Sequence, residues 1–174
     1  DVALPACGFA GGLVALVVVY RMATRDEQLP IHSLLLAGVI LNAIFSALIM
    51  FITSIMEPNR SYGMTTWLMG TLTAPPYGGL VGLAVYLLIG LLFLFRHMRI
   101  LNILALGEES ARTLGVDTEQ TKRRIFVLTA LITGAIVSVS GMIGFVGMVV
   151  PHAVRLMTGA DHRLLLPASA LVGG

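Results

Sequence analysis

Two runs of this chain, Tyr77–Phe95 and Ile125–Met142, carry no charged residue, while the segment between them, Arg96–Arg124, holds six of the eleven basic residues. A water-soluble fold has no reason to sort its charges this way. A bilayer imposes it, because Lys and Arg collect in the short loops that stay in the cytoplasm. Residues 96–124 therefore read as a cytoplasmic loop between two transmembrane helices. The order of its residues, Asn102-Ile-Leu-Ala-Leu-Gly-Glu-Glu-Ser-Ala-Arg-Thr-Leu-Gly-Val116, is too patterned for a tether.

The whole chain agrees with that reading. It is 57% hydrophobic and 11% charged, against about 25% charged for ordinary globular domains. A transmembrane β-barrel needs segments of about ten alternating residues, and runs such as Leu34–Ile40 and Leu87–Phe95 do not alternate. Nineteen glycines suit helices that approach closely within a membrane. The fold class expected is all-α, a polytopic transmembrane helical bundle. Cys7 is the only cysteine, which excludes an intrachain disulfide and a Cys-based zinc site. Residues 1–20 lack the basic start of a signal peptide. They read as a helix joined in mid-chain, and residues 164–174 stop inside an apolar run. Both ends suggest a single transmembrane domain over 1–174, cut from a longer chain.

A spanning helix takes about 20 apolar residues. Val2–Tyr20 and about Ser33–Ile55 qualify. Ser61–Phe95 is too long for one upright helix, and Pro75-Pro76 divides it into an interfacial segment, Ser61–Thr73, and a span at about Tyr77–Phe95. Tyr62, Trp67 and Tyr77 then belong to one water interface. Strict alternation places Arg21, Arg25, Arg96, Arg99, Arg112, Lys122, Arg123 and Arg124 on one side and Arg60 on the other, so the first side is cytoplasmic. Asp117 can cap the next helix, with Gln120 three residues on. Gly141, Gly144, Gly147 and Pro151 would weaken one straight helix through the charge-free stretch Ile125–Val154. Two arrangements fit: one long kinked span, or a span to about Met142 followed by a short return helix. The return is favoured because it puts Arg155 and Arg163 back in the cytoplasm.

The C-terminal third, Gly144-Phe-Val-Gly-Met-Val-Val-Pro-His-Ala-Val-Arg155 followed by Asp161-His-Arg-Leu-Leu-Leu-Pro-Ala-Ser-Ala170, resembles one transport family. It is similar to the permease subunits of ATP-binding-cassette importers for iron–siderophores, haem and vitamin B12. Leu34-Leu-Leu-Ala-Gly-Val39, Trp67-Leu-Met-Gly70 and Ala105-Leu-Gly-Glu-Glu-Ser-Ala-Arg-Thr-Leu-Gly115 match the family in the same order. The resemblance implies a subunit of roughly ten helices that works as a homodimer in the bacterial inner membrane. This chain would supply about five to six of those helices, from the fourth span to the start of the ninth, with the return helix present. It also implies that the loop folds into short coupling helices docking in a cleft of a cytoplasmic ATPase. Leu106, Gly107, Glu108, Glu109, Ser110, Ala111, Arg112, Leu114 and Gly115 are the residues it puts there. Ser110 stands where the family's signature usually has alanine. Independently, a short helix with small Ala111 and apolar Leu106 and Leu114 can insert into a groove. Gly107 and Gly115 can free it from its neighbours, and Glu108, Glu109 and Arg112 can orient it.

The remaining candidates are weaker. No phosphate-binding Gly-x-x-x-x-Gly-Lys-Ser/Thr occurs, so ATP and Mg belong to a partner ATPase and this chain is expected to bind no cofactor. His32, His97, His152 and His162 show no metal-ligand spacing. The nine methionines fill gaps between helices and face lipid. Asn42, Ser46 and Thr53 share roughly one face of the second span. They serve either interhelical hydrogen bonds or the lining of a pathway, and the resemblance favours the pathway. Arg60 either docks a periplasmic binding protein or is solvated. Expected partners are a second copy of the permease, ATP-binding subunits, a substrate-binding protein and membrane lipid; no nucleic acid is expected. An ion-coupled carrier is the alternative, but it would want acidic or His relays in mid-span, and none of the nine acidic residues lies there. An intramembrane enzyme would need paired catalytic groups at that depth, and none occur.

Overall fold

The computed structural model describes residues 3–24, 29–70 and 77–173, with side chains from Pro5 onward except at 58–60. Among the described residues there are nine helices and no strand: α1 (Ala3–Ala23), α2 (Ile31–Ile55), α3 (Pro58–Leu68), α4 (Tyr77–Arg96), α5 (Met98–Leu104), α6 (Glu108–Thr113), α7 (Thr118–Ser140), α8 (Val146–Thr158) and α9 (His162–Val172). Four of them, α1, α2, α4 and α7, are long and apolar enough to cross a membrane. Helix is the form these runs must take, because hydrocarbon offers no partner to a backbone N–H or C=O left unpaired. The break expected at Pro75-Pro76 lies outside the described residues, as does Arg25. The interfacial segment is a helix three residues earlier than its predicted start, because Pro58 at the first position presets its φ.

The chain divides into two compact units, Asp1–Pro75 with Thr129–Met142, and Pro76–Leu128 with Ile143–Gly174. In the first, α1 and α2 form a hairpin whose buried knot is Ala23, Leu29 and Ala37, packed by Val19, Tyr20 and Leu34. Large apolar side chains elsewhere on α2, such as Leu35, Leu36, Val39 and Met50, are exposed, as a lipid-facing surface requires. Trp67 lies against α1. It is half-buried, and a Cβ on Gly8 would lie 3.8 Å from its ring, an ordinary packing contact.

Helix α7 ends at Ser140 and α8 begins at Val146, with residues 141–145 between them. Gly141 has φ +72° and Phe145 has φ +67°. Gly147 and Pro151 fall inside α8, so the interruption is made by the left-handed residues at 141 and 145. The far end of α8 settles its direction. The link after Thr158 brings Asp161 and His162 onto Asn102 of α5, inside the segment read as cytoplasmic. Helix α8 therefore returns. Its 13 residues span about 20 Å, short of the roughly 30 Å hydrocarbon core.

Two outcomes follow. In a Cys7→Ala background, Thr158→Cys is protected from an impermeant thiol reagent applied outside; external labelling contradicts the return. Gly141→Ala lowers thermal stability by about 2–4 kcal/mol, because the new Cβ both adopts a disfavoured φ and strikes the Trp67 carbonyl oxygen. A melting temperature equal to the parent's contradicts that close approach.

Candidate coupling site

The expected cytoplasmic loop is two short helices and the first two turns of α7. Helix α6 covers six residues and is bracketed by Gly107 at φ +109° and Gly115 at φ +80°. Side chains at those angles are strained, so the glycines let the chain enter and leave α6 sharply. Its C-terminus closes with two bonds, from Gly115 N–H to the Arg112 carbonyl (2.9 Å) and from Val116 N–H to the Ala111 carbonyl (3.0 Å). That pair satisfies carbonyls a helix end would otherwise leave open. Helix α7 starts on the cap expected of it, with Gln120 N–H donating to Asp117 Oδ1 at 2.9 Å.

A chain of alternating charges fixes α6 against α7. Lys122 Nζ lies 3.1 Å from Glu108 Oε1 and 2.7 Å from Glu119 Oε1. Arg112 reaches Glu119 at 3.6 Å and donates from Nε to Thr118 Oγ1 at 3.1 Å. Thr118 is buried, so its hydroxyl needs such a partner. Glu108 and Arg112 hold α6 to the protein's own next helix, with side chains 42% and 54% exposed. The expectation for Ala111 is revised. It is fully buried, so it packs within the folded chain and offers nothing to an external groove. What α6 and its approach present outward is Leu106 (69% exposed), Leu114 (63% exposed), Glu109, Ser110, Arg112 and Thr113.

A second polar cluster joins α5 to the start of α9. Asn102 Nδ2 donates to Asp161 Oδ1 at 2.6 Å. Asn102 Oδ1 accepts from His162 N–H at 2.8 Å and lies 2.7 Å from His162 Nδ1. Asp161 also caps α9 by accepting from Arg163 N–H at 2.9 Å. That backbone donor, with the Asn102 amide second, holds the Asp161 carboxyl below its ordinary range. The sequence reading passed over this cluster, weighing His162 only as a metal ligand and Asn102 only as part of the loop. The signal available was Asp161 placed as a helix cap; its partner 59 residues away had none.

The three pathway candidates separate. Asn42 and Ser46, one turn apart on α2, line a cleft of about 510 Å³ in the first unit with Gly11, Trp67 and Val137. Thr53 does not line it. Its hydroxyl donates to the carbonyls of Ile49 and Met50, both at 2.9 Å, as a helical threonine in an apolar span does. The Arg60 side chain lies outside the described residues. Among the described residues no group of three or more His, Cys, Asp or Glu gathers.

Asn102→Ala removes three polar contacts at once and leaves the His162 amide without its acceptor. A net loss of about 1 kcal/mol for such a bond raises exchange of that amide about fivefold. Unchanged exchange at His162 would mean that the cluster is not closed in solution.

This arrangement has counterparts among known proteins. The FecCD transport family matches residues 1–174. The chain is 42% identical over 167 residues to the cobalamin import system permease protein BtuC of Halobacterium salinarum, covering 95% of this chain and 45% of that protein. It is 38% identical over 165 residues to the hemin transport system permease protein HmuU of Yersinia pestis, covering 95% and 49%. A solved structure described as an inward-facing metal-chelate type ABC transporter superposes with a TM-score of 0.82 at 27% identity, over 98% of this chain and 61% of that one. The chain spans about half the length of the curated relatives it matches. The chain belongs to the FecCD transport family.

Proposed function

We propose that the protein is the membrane-spanning subunit of an ATP-binding-cassette importer that carries an iron–siderophore, haem or cobalamin chelate across the inner membrane. The observation that carries this reading is the match to import permeases along nearly the whole chain, two of them named for cobalamin and hemin. ATP and Mg bind to a partner ATPase, a substrate-binding protein delivers the chelate, and a second copy of the permease completes the path. This chain itself holds no cofactor. Asn42 and Ser46 face that path from α2, and Arg60 meets the binding protein. The four membrane-length helices contain no mid-span carboxylate among the described residues, which disfavours the ion-coupled alternative.

Helix α6 is the element that receives the ATPase stroke. The ion-pair chain through Lys122 makes α6 and the start of α7 move as one body. A force applied to α6 thus reaches a membrane helix directly. Leu106 and Leu114 are the apolar anchors for the ATPase cleft, and the exposed charges of Glu109 and Arg112 orient them.

The full-length permease, reconstituted with its ATPase and binding protein, takes up a chelate only when ATP is present. Uptake driven by an ion gradient without ATP would overturn the reading. Leu106→Glu with Leu114→Glu lowers ATPase affinity about tenfold or more, since exposed apolar anchors contribute about 1–2 kcal/mol each. Membrane insertion stays unchanged, because it depends on the spans. Normal coupling in that variant would remove α6 from the docking surface.

A further inference from the structure

We propose that the groove between the cytoplasmic end of α4 and the start of α7 is a binding site for an anionic phospholipid of the cytoplasmic leaflet. The groove measures about 510 Å³ and is lined by Phe93, His97, Arg123, Arg124, Val127 and Leu128. Its residues sort into two groups. Arg123, Arg124 and His97 stand at its edge, their side-chain stems adding to a lining that is mostly apolar while Arg123 and Arg124 are exposed. Phe93, Val127 and Leu128 supply apolar walls. No carboxylate lines it among the described residues.

The level of the groove in the membrane decides what it fits. Phe93 stands two residues before the end of the charge-free run Tyr77–Phe95, and Arg123 and Arg124 stand immediately before the charge-free run that begins at Ile125. The rim is thus at the depth of phosphate headgroups and the walls at the depth of the first acyl methylenes. Basic pockets between transmembrane helices on the cytoplasmic side take acidic headgroups for this reason. Arginine suits the task, since its planar fork can grip two phosphate oxygens at once. The His97 ring is oriented by its own chain, with Nδ1 2.8 Å from the Phe93 carbonyl oxygen.

A free phosphate ion would use the rim and leave the walls exposed. An acidic surface of the ATPase would find half of its contact below the membrane boundary, where Val127 and Leu128 face hydrocarbon. A two-chain lipid with an anionic headgroup fills both halves. Filling the groove would also brace α7 at Arg123, next to Lys122 and four residues from Glu119, the residues that hold α6.

The test measures lipid retained by the complete permease after purification from bilayers of mixed phosphatidylcholine and phosphatidylglycerol, counted by native mass spectrometry. The parent protein retains phosphatidylglycerol in preference to phosphatidylcholine. Arg123→Gln with Arg124→Gln lowers the retained phosphatidylglycerol about tenfold, as two lost charges at a membrane surface should. Arg123→Lys with Arg124→Lys, which keeps the charge, restores most of it. Val127→Trp, which fills the wall and leaves the charges in place, also lowers it. Arg99→Gln, on α5 and outside the groove, leaves it unchanged. Equal retention in the glutamine double variant overturns the proposal. So does an equal loss in Arg99→Gln, which would mean general surface attraction. Absence of preference in the parent overturns it as well, since the groove is then covered by other parts of the protein. Loss of the ATPase subunit with lipid retention intact assigns the surface to that partner instead.

Discussion

Charge is costly in hydrocarbon. Moving an ionised side chain to the bilayer centre costs about 2.5–3.5 kcal/mol on insertion scales, and the consequences of that cost run through the whole structure. Four helices long enough to span are cleared of charge over most of their length. Nearly all polar bonding capacity is pushed into the segments between spans. There it is dense: Asn102, Glu108, Arg112, Asp117, Glu119, Lys122 and Asp161 all make directed contacts in the second unit. The exclusion that makes the spans anonymous makes the cytoplasmic segment specific.

Within that segment, two kinds of polar contact serve two mechanical ends. The ion pairs around Lys122 bind a six-residue helix that could not persist alone. Left-handed glycines at both ends allow α6 to stand out from the chain while its buried face, at Ala111, stays closed. The Asn102 contacts work over a longer sequence distance. They hold the α8–α9 connection on α5, so the far end of α8 is fixed by hydrogen bonds. Helix α8, too short to cross an ordinary hydrocarbon core, depends on such an anchor for its position.

The apolar faces carry the complementary lesson. Leu35, Leu36, Val39 and Met50 on α2 lie bare, as lipid-facing residues or as faces that receive further helices. The cleft beside Asn42 and Ser46 is almost wholly apolar apart from those two side chains. Elsewhere on α2 a polar group is bonded locally, as Thr53 is to the carbonyls one turn before it.

The amino-acid sequence alone determined the class and the spans. These follow from local hydrophobicity and from flanking charge, and the bilayer reads both residue by residue. It also determined the ends of α6, because a left-handed backbone angle demands glycine wherever it occurs, and the cap at Asp117, which is a bond across three residues. Tertiary structure decided the rest. Whether Ala111 faces inward or outward, whether Glu108 serves a partner or Lys122, and that Trp67 sits against Gly8 are facts of packing between separate elements. Asn102 meets Asp161 only because α8 turns back, and no pattern in either segment announces the other. A side chain's environment is set by whatever folds against it, and in a membrane chain most candidate neighbours are equally apolar.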